Sequence, residues 1–321
     1  MSTIRAISAW FGLFVLACGA AWAQPYPSKP VRVVIVFPPG GATDVVGRIV
    51  FQKVGEQLNQ QFIMDNRVGA GGTIGAANVA KSPADGYTLM VYSTTLLANA
   101  HLYRKLPYDA LKDFVGLTPV ARLVAALTVH PSMPVKTVKD LIALAKAHPG
   151  QISYGSAGVG ALQHLSTSLF TQMTHINMVH VPYKGGGPAA IAAAAGEIQV
   201  LLTPASEVMA YIQSKRVRPI AVSSSTRISQ LPDLPTIAET VPGYELTSWM
   251  GTFAPAGTPQ PILEKLNLEL KKAVADPAVA QNLSSQTLDP MYLTLDEYAK
   301  LLKADYDKFG RIIKISGARL D

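Results

Sequence analysis

Apolar residues first form a strand-length run, Val31 to Phe37, which ends at the turn Pro38-Pro39-Gly40-Gly41. After this turn, apolar residues recur once per helical turn, at Val46, Val50, Val54 and Leu58. A β-branched run followed by a period of about 3.6 residues predicts a strand, a glycine-rich turn and then a helix.

In a parallel α/β sheet, such a turn lies at the carboxyl edge of the strands, where helix N–H groups and the positive dipole end face a crevice. The turn is therefore a candidate anion site, although any buried strand–helix unit also needs a tight turn. Asp44 lies in the first helical turn, where a carboxylate usually caps the helix and would repel a ligand anion.

The same alternation continues along the first half of the chain. The pattern predicts a second strand at Phe62–Asn66, a helix from about Thr73 to Lys81, and a third strand at Tyr87–Tyr92 that ends in Ser93-Thr94-Thr95. A β–α–β–α–β order predicts a parallel sheet with right-handed crossovers.

Between Phe114 and Val129 the chain is continuously apolar, which predicts two consecutive strands and a passage into a second domain. The strand–turn–helix pattern then restarts, with glycine-rich turns at Gly155–Gly160 and Pro182–Gly187. A capping-box spacing starts a helix at Thr137. Three helices close the chain, at Pro261–Ala275, Pro277–Ser285 and Leu295 to about Ile313.

The chain starts with the pattern of an export signal. Met1–Ala23 contains one positive charge, Arg5, then an apolar core over Ala6–Ala17 and the small-x-small triplet Ala21-Trp22-Ala23. This pattern predicts cleavage after Ala23 and a periplasmic protein. The apolar core is shorter than the roughly 20 residues of a membrane-spanning helix.

Cys18 is the single cysteine, in a segment that loosely resembles a lipobox, so a lipoprotein is the alternative. After cleavage at Ala23 no disulfide, thiolate nucleophile or cysteine-ligated metal is expected. The remaining chain has the length of two domains of ~150 residues.

The composition, 49% hydrophobic and 15% charged, is that of a folded protein, and the net charge of +7 favours anions mildly. Lysine and arginine are scattered, with no basic run that interleaves with aromatic residues. We therefore do not expect a nucleic-acid partner.

Individual motifs bear on three kinds of chemistry: dinucleotide binding, serine hydrolysis and metal binding. Gly69–Gly75 approaches a dinucleotide fingerprint, but Ile74 stands where the last glycine belongs. The segment from Tyr154 to Gly158 approaches a nucleophile elbow, with tyrosine in place of the first glycine. A serine hydrolase would then use Ser156 with His164 as base. The six histidines show no metal-ligand spacing, so we expect neither metal nor cofactor.

Five blocks of sequence, in this order, resemble the Bug family of extracytoplasmic solute-binding receptors of tripartite tricarboxylate transporters. They are YPSKPVRVVIVFPPGGATD, DNRVGAGGTIGAANVAKSPADGYTL, VPYKGGGPAAIAAAAGEI, LPDLPTIAE and APAGTPQPILEKLN. The resemblance runs from Tyr26 to the C-terminal helices.

This resemblance implies an α/β, periplasmic-binding-protein-like fold with two doubly wound α/β domains and an interdomain ligand cleft. We place domain 1 at residues 24–122 and 247–321, and domain 2 at residues 123–246. The implied protein is a monomer and not an enzyme; it captures a small carboxylate and delivers it to membrane transporter subunits. A ligand sensor that signals to a partner is a further alternative.

By the same resemblance, backbone amides and small hydroxyls from both domains hold the ligand. The expected ligand-binding residues are Pro39, Gly40, Gly41, Ala42, Thr43, Ser93 and Thr94 of domain 1, and Ser156, Ala157, Gly158, Tyr183, Lys184, Gly185 and Gly186 of domain 2.

Overall fold

The computed structural model describes residues 26–228 and 231–320, and its strands form two sheets. One sheet has six strands and the other has five. The predicted export signal at residues 1–23, with the alternative lipid acceptor Cys18, lies outside the described residues.

Strands and helices alternate along most of the described chain. In chain order, the strands are β1 (Val31–Ile35), β2 (Phe62–Asn66), β3 (Thr88–Ser93), β4 (Phe114–Leu123), β5 (Ala125–Val129), β6 (Ser153–Ser156), β7 (Val179–Pro182), β8 (Val200–Pro204), β9 (Arg218–Val222), β10 (Ser248–Pro255) and β11 (Leu288–Pro290). The α-helices are α1 (Ala42–Leu58), α2 (Thr73–Ala80), α3 (Thr95–Leu102), α4 (Val138–Ala147), α5 (Leu162–Thr174), α6 (Gly186–Ala195), α7 (Ala205–Gln213), α8 (Gln260–Ala275), α9 (Pro277–Ser285) and α10 (Leu295–Ser316).

The six-stranded sheet has the order β11-β4-β10-β3-β1-β2. β1 pairs in parallel with both β2 and β3, which confirms the parallel unit predicted from the first half of the sequence. β10 is antiparallel to both of its neighbours, β3 and β4. The sheet is therefore mixed, because its central strand enters from the C-terminal part of the chain.

Both faces of this sheet are covered by helices. Val33 of β1 packs in one core with residues of α1 and α8, whereas the next residue, Val34, packs in another core with residues of α2 and α10. Successive side chains of a strand point to opposite faces, so a strand covered on both sides reads as one continuous apolar run. This explains the pattern of Val31–Phe37.

The five-stranded sheet has the order β7-β6-β8-β5-β9. β6 pairs in parallel with β7 and β8, and β5 is antiparallel to β8 and β9. β4 and β5 are separated only by Val124 and belong to different sheets. The two consecutive strands predicted between Phe114 and Val129 are therefore present, and the chain crosses between the sheets there. It crosses back between β9 and β10.

Two short elements were not predicted. Helix α3 starts directly after Ser93-Thr94, where the sequence pattern predicts only the end of a strand followed by a cluster of hydroxyl side chains. Strand β11 has only three residues, too few for a periodicity. The three predicted C-terminal helices are present as α8, α9 and α10.

Candidate functional site

The turns after β1 and β3 meet at one edge of the six-stranded sheet. Their strands are parallel neighbours, so their carboxyl ends lie side by side. The sheet therefore brings the predicted residues 39–43 and 93–94 to the same edge.

The turn after β1 prepares the N-terminus of α1. Gly40 has φ +78°, a left-handed conformation that favours glycine, and Gly41 is the N-cap residue. The Gly41 amide donates to the carbonyl of Pro38 at 3.2 Å. The amides of Ala42 and Thr43 belong to the first helical turn, where helix geometry provides no acceptor. The N-terminus of α1 thus offers these two N–H groups as hydrogen-bond donors, and an anion is an acceptor that suits them.

Asp44 caps α1 from within its first turn. Its Oδ2 accepts hydrogen bonds from the Gly40 amide at 3.0 Å and from Nε of Arg48 at 2.9 Å, and its Oδ1 accepts one from Asn66 at 2.9 Å. Burial raises the pKa of Asp44, but the hydrogen bonds from Arg48, Gly40 and Asn66 outweigh it and lower the pKa to about 2. The Gly40 amide is thus used by Asp44, and the Asp44 charge is paired.

The hydroxyls predicted at the end of β3 are buried and hydrogen-bonded within the first lobe, which is the part of the protein built on the six-stranded sheet; the second lobe is the part built on the five-stranded sheet. Thr94 Oγ1 lies 2.8 Å from the hydroxyl of Ser248 on β10, and the Ser93 hydroxyl donates to Thr95 at 2.9 Å. They lie at the predicted edge, where the Thr94–Ser248 contact joins the end of β3 to the start of β10.

The two glycine-rich turns of the second lobe also adjoin, because β6 and β7 are parallel neighbours. The Tyr183 amide donates to the Ser156 carbonyl at 2.9 Å. Gly158 and Gly185 have φ values of +127° and +121°, which favour glycine. Lys184 is exposed.

The pairing of Ser156 with His164 suggested by the sequence is wrong. Ser156 Oγ lies 2.6 Å from Nε2 of His180, and Nδ1 of His164 accepts the Gly160 amide at 3.1 Å. His180 lies on β7 directly opposite Tyr154 of β6, so strand pairing brings it to the serine. Sequence spacing contains no signal for this contact.

These side chains form a stack. The ring of His180 lies between those of Tyr154 and His164, with centroids 5.0 and 4.2 Å away. Burial, and then the neighbouring His180, lower the pKa of His164 to about 4, and burial also lowers the pKa of His180. At neutral pH both rings are therefore neutral.

A cavity of about 260 Å³ joins the two sheets' strand ends. Its lining residues are Gly40, Ala42, Val45, Ser206, Glu207, Gln286 and Leu288. Gly40 and Ala42 belong to the predicted turn, whereas Ser206 and Glu207 start helix α7 in the other lobe. The sequence pattern did not indicate Ser206 and Glu207, because the link from β8 to α7 contains no glycine. The rule that ligands bind at the carboxyl ends of strands would have found it.

Glu207 is held by two side chains of its own lobe. Its Oε2 accepts hydrogen bonds from the Gln163 amide at 3.2 Å and from the Thr203 hydroxyl. Gly186, one of the predicted site residues, lies against the Glu207 carboxylate, because a Cβ atom on Gly186 would overlap both carboxylate oxygens. Gly186 is thus separated from the cavity by the side chain of Glu207. Burial raises the pKa of Glu207, and the bonds from Thr203 and Gln163 oppose this rise.

Within residues 26–228 and 231–320, no group of three or more His, Cys, Asp and Glu side chains could hold a metal ion. The helices of these same residues include none that is long and apolar enough to cross a membrane.

Sequence relatives cover nearly the whole chain. A protein encoded in the tcbD–tcbE intergenic region of Pseudomonas sp. strain P51 is 37% identical over 90% of this chain and 86% of its own length. Protein BugT of Bordetella pertussis is 32% identical over 96% of this chain and 97% of its own length.

Solved structures show the same fold. An R. palustris protein with adipate has a TM-score of 0.79 and 34% identity, covering 92% of this chain and all of its own. MatC from Rhodopseudomonas palustris with bound malate has a TM-score of 0.73 and 27% identity, covering 90% and 100%. The periplasmic-binding-protein-like fold expected from the sequence is thereby confirmed.

The family model described as tripartite tricarboxylate transporter family receptor matches residues 46–318. This range includes every strand of both sheets except β1, and it starts after the turn that follows β1. The resemblance to Bug receptors is confirmed by BugT and by this match. The chain belongs to the receptor family of the tripartite tricarboxylate transporters, a family of solute-binding proteins.

Proposed function

We propose that this protein captures a small carboxylate in the cleft between its two lobes and delivers it, chemically unchanged, to the membrane subunits of a tripartite transporter. The lobes are residues 24–122 with 247–321, and residues 123–246. The protein acts as a monomer in the periplasm, after cleavage behind Ala23. The cavity shared by the starts of α1 and α7 is the observation that carries this proposal.

The start of α1 provides the carboxylate site. The Ala42 and Thr43 amides lie at the positive end of a 17-residue helix, and Ala42 lines the cavity. The nearby Asp44 carboxylate forms a 2.9 Å ion pair with Arg48 and so repels a ligand anion less than a lone charge would. Pro39, Gly40 and Gly41 shape the turn that presents these amides.

The second lobe closes on the bound ligand. Ser156, Ala157 and Gly158, together with the turn from Tyr183 to Gly186, lie at the carboxyl edge of β6 and β7. A ligand that contacts both lobes favours the closed arrangement by its additional contacts there.

Ligands of similar proteins agree with this substrate class. Adipate and malate, named for the two solved structures, are small dicarboxylates. A pocket built from backbone amides recognises a carboxylate and leaves the rest of the ligand to side chains at the opposite wall.

A thermal-shift screen tests binding. The chain without its first 23 residues is unfolded and refolded to remove co-purified ligand, then mixed with small mono-, di- and tricarboxylates. A ligand at 100 times its dissociation constant adds about 2.7 kcal/mol to the free energy of unfolding and raises the midpoint. If no carboxylate raises the midpoint of the refolded chain, the proposal is wrong.

Delivery needs a separate test. Uptake of the labelled hit is measured in cells that lack this receptor and in cells that regain it. Uptake restored by the receptor supports transport. Binding without any effect on uptake would instead favour the ligand-sensor alternative.

A further inference from the structure

Glu207 lines the cavity without an ionic partner. Among the described residues, no lysine, arginine or histidine forms an ion pair with it, and the influences on its pKa are burial, Thr203 and Gln163. The hydrogen bonds from Gln163 and Thr203 both go to Oε2. No described residue forms a hydrogen bond with the second carboxylate oxygen, Oε1.

The other carboxylate near the cavity is different. Asp44 is ion-paired with Arg48 and accepts two further hydrogen bonds, one from Gly40 and one from Asn66. Glu207 receives two uncharged donors. A half-buried carboxylate with incomplete pairing is costly, and a cation at short range offsets that cost.

The charge of Glu207 is supported by its position. It occupies the first turn of α7 and lies against Gly186, the first residue of α6. The positive ends of both helix dipoles favour an ionised carboxylate there. A second ligand carboxylate in this part of the cavity would meet a like charge.

The cavity thus presents opposite preferences at its two walls. The amides of Ala42 and Thr43 favour a carboxylate, whereas Glu207 favours a cationic hydrogen-bond donor. We propose that Glu207 binds an ammonium group of the ligand, so that the preferred ligand class is a small zwitterion with one carboxylate and one amine. This inference rests on the proposed function and narrows its substrate class.

Calorimetric titration with matched probe pairs tests the inference. The two members of each pair share one carboxylate and the same methylene chain and differ only at the other end, as glutarate and 4-aminobutanoate do. A series of pairs whose dicarboxylates have three to six carbons covers the unknown ligand length. Wild-type protein should bind the amine-bearing member of at least one pair about tenfold more tightly than the dicarboxylate. E207Q should remove most of this preference.

E197Q is the matched control, because Glu197 is an exposed carboxylate of the same lobe outside the cavity lining. It should keep the wild-type preference. A wild-type preference for the dicarboxylate in every pair that binds overturns the inference while the carboxylate-receptor function stands. An amine preference that survives in folded E207Q also overturns it.

Binding of neither class by wild-type protein overturns the inference, and it removes the proposed function as well when the wider carboxylate screen also yields no ligand. The wild-type comparison decides the ligand class even if E207Q does not fold.

Discussion

Asp44 and Gly40 are four positions apart, and Oδ2 of Asp44 accepts the Gly40 amide at 3.0 Å. One amide of the turn that the sequence assigned to a ligand is therefore used by the protein. The same oxygen binds Arg48, so the turn, the helix and β2 through Asn66 are fixed by one carboxylate.

Replacement of Asp44 by asparagine should lower the free energy of unfolding by about 2 kcal/mol at pH 7, because the ion pair and part of the hydrogen-bond set are lost from a buried site. Urea unfolding measures this change. D296N, at an exposed acid in the first turn of α10, should cost less than about 1 kcal/mol. Equal losses in the two variants would contradict the proposed role of Asp44.

A leucine at Gly41 should abolish carboxylate binding and leave the fold intact. Gly41 has an ordinary φ of −73°, so backbone strain is not expected. Its Cβ would lie 3.3 Å from the Pro38 carbonyl, and the longer side chain would obstruct the start of α1. Thermal shift with the screened carboxylate measures binding, and circular dichroism measures the fold. A143L, at an exposed position of α4, should bind as wild type does.

Replacement of Ser156 by alanine separates a receptor from a hydrolase. We expect no ester turnover by either wild type or S156A. The variant should lose about 1–2 kcal/mol of stability, since Ser156 is fully buried and bonds to His180 and to the Gly158 amide. A colorimetric ester assay and urea unfolding measure the two quantities. Saturable turnover that disappears in S156A would revive the hydrolase alternative.

Stability should fall on mild acidification because of His164. Its pKa is lowered to about 4 from 6.5, so between these values the unfolded chain binds a proton that the folded chain does not. The free energy of unfolding is therefore highest above pH 6.5 and decreases as the pH falls, by at most about 1.4 kcal/mol per pH unit for this group.

Urea unfolding of wild type and H164Q from pH 6.5 to 5 measures this slope. The slope should be smaller in H164Q, although His180 and other groups still contribute. H148Q, which removes an exposed histidine of the same lobe, is the control for the substitution itself. Parallel pH curves for wild type and H164Q would show that His164 does not cause the loss.

The sequence predicted helices and strands correctly where their signal, an apolar periodicity or a capping box, comes from residues that are close in the chain. The run Val31–Phe37 and the apolar stripe after it correctly predicted a strand and a helix, and the capping box predicted at Thr137 is present. These features depend on residues at most a few turns apart, so they are visible without the fold. Strand β11 is not, because its pairing with β4 comes entirely from a distant part of the chain.

The sequence alone determined the α/β class, the receptor family and the edge at which the glycine-rich turns lie. Only the tertiary structure decided that Ser156 meets His180, through the pairing of β6 with β7. It also decided that Glu207 shares a cavity with Gly40, 167 positions earlier in the chain. The physical reason is that helix and strand formation depends on near neighbours, whereas a binding site depends on which strand ends two packed lobes bring together.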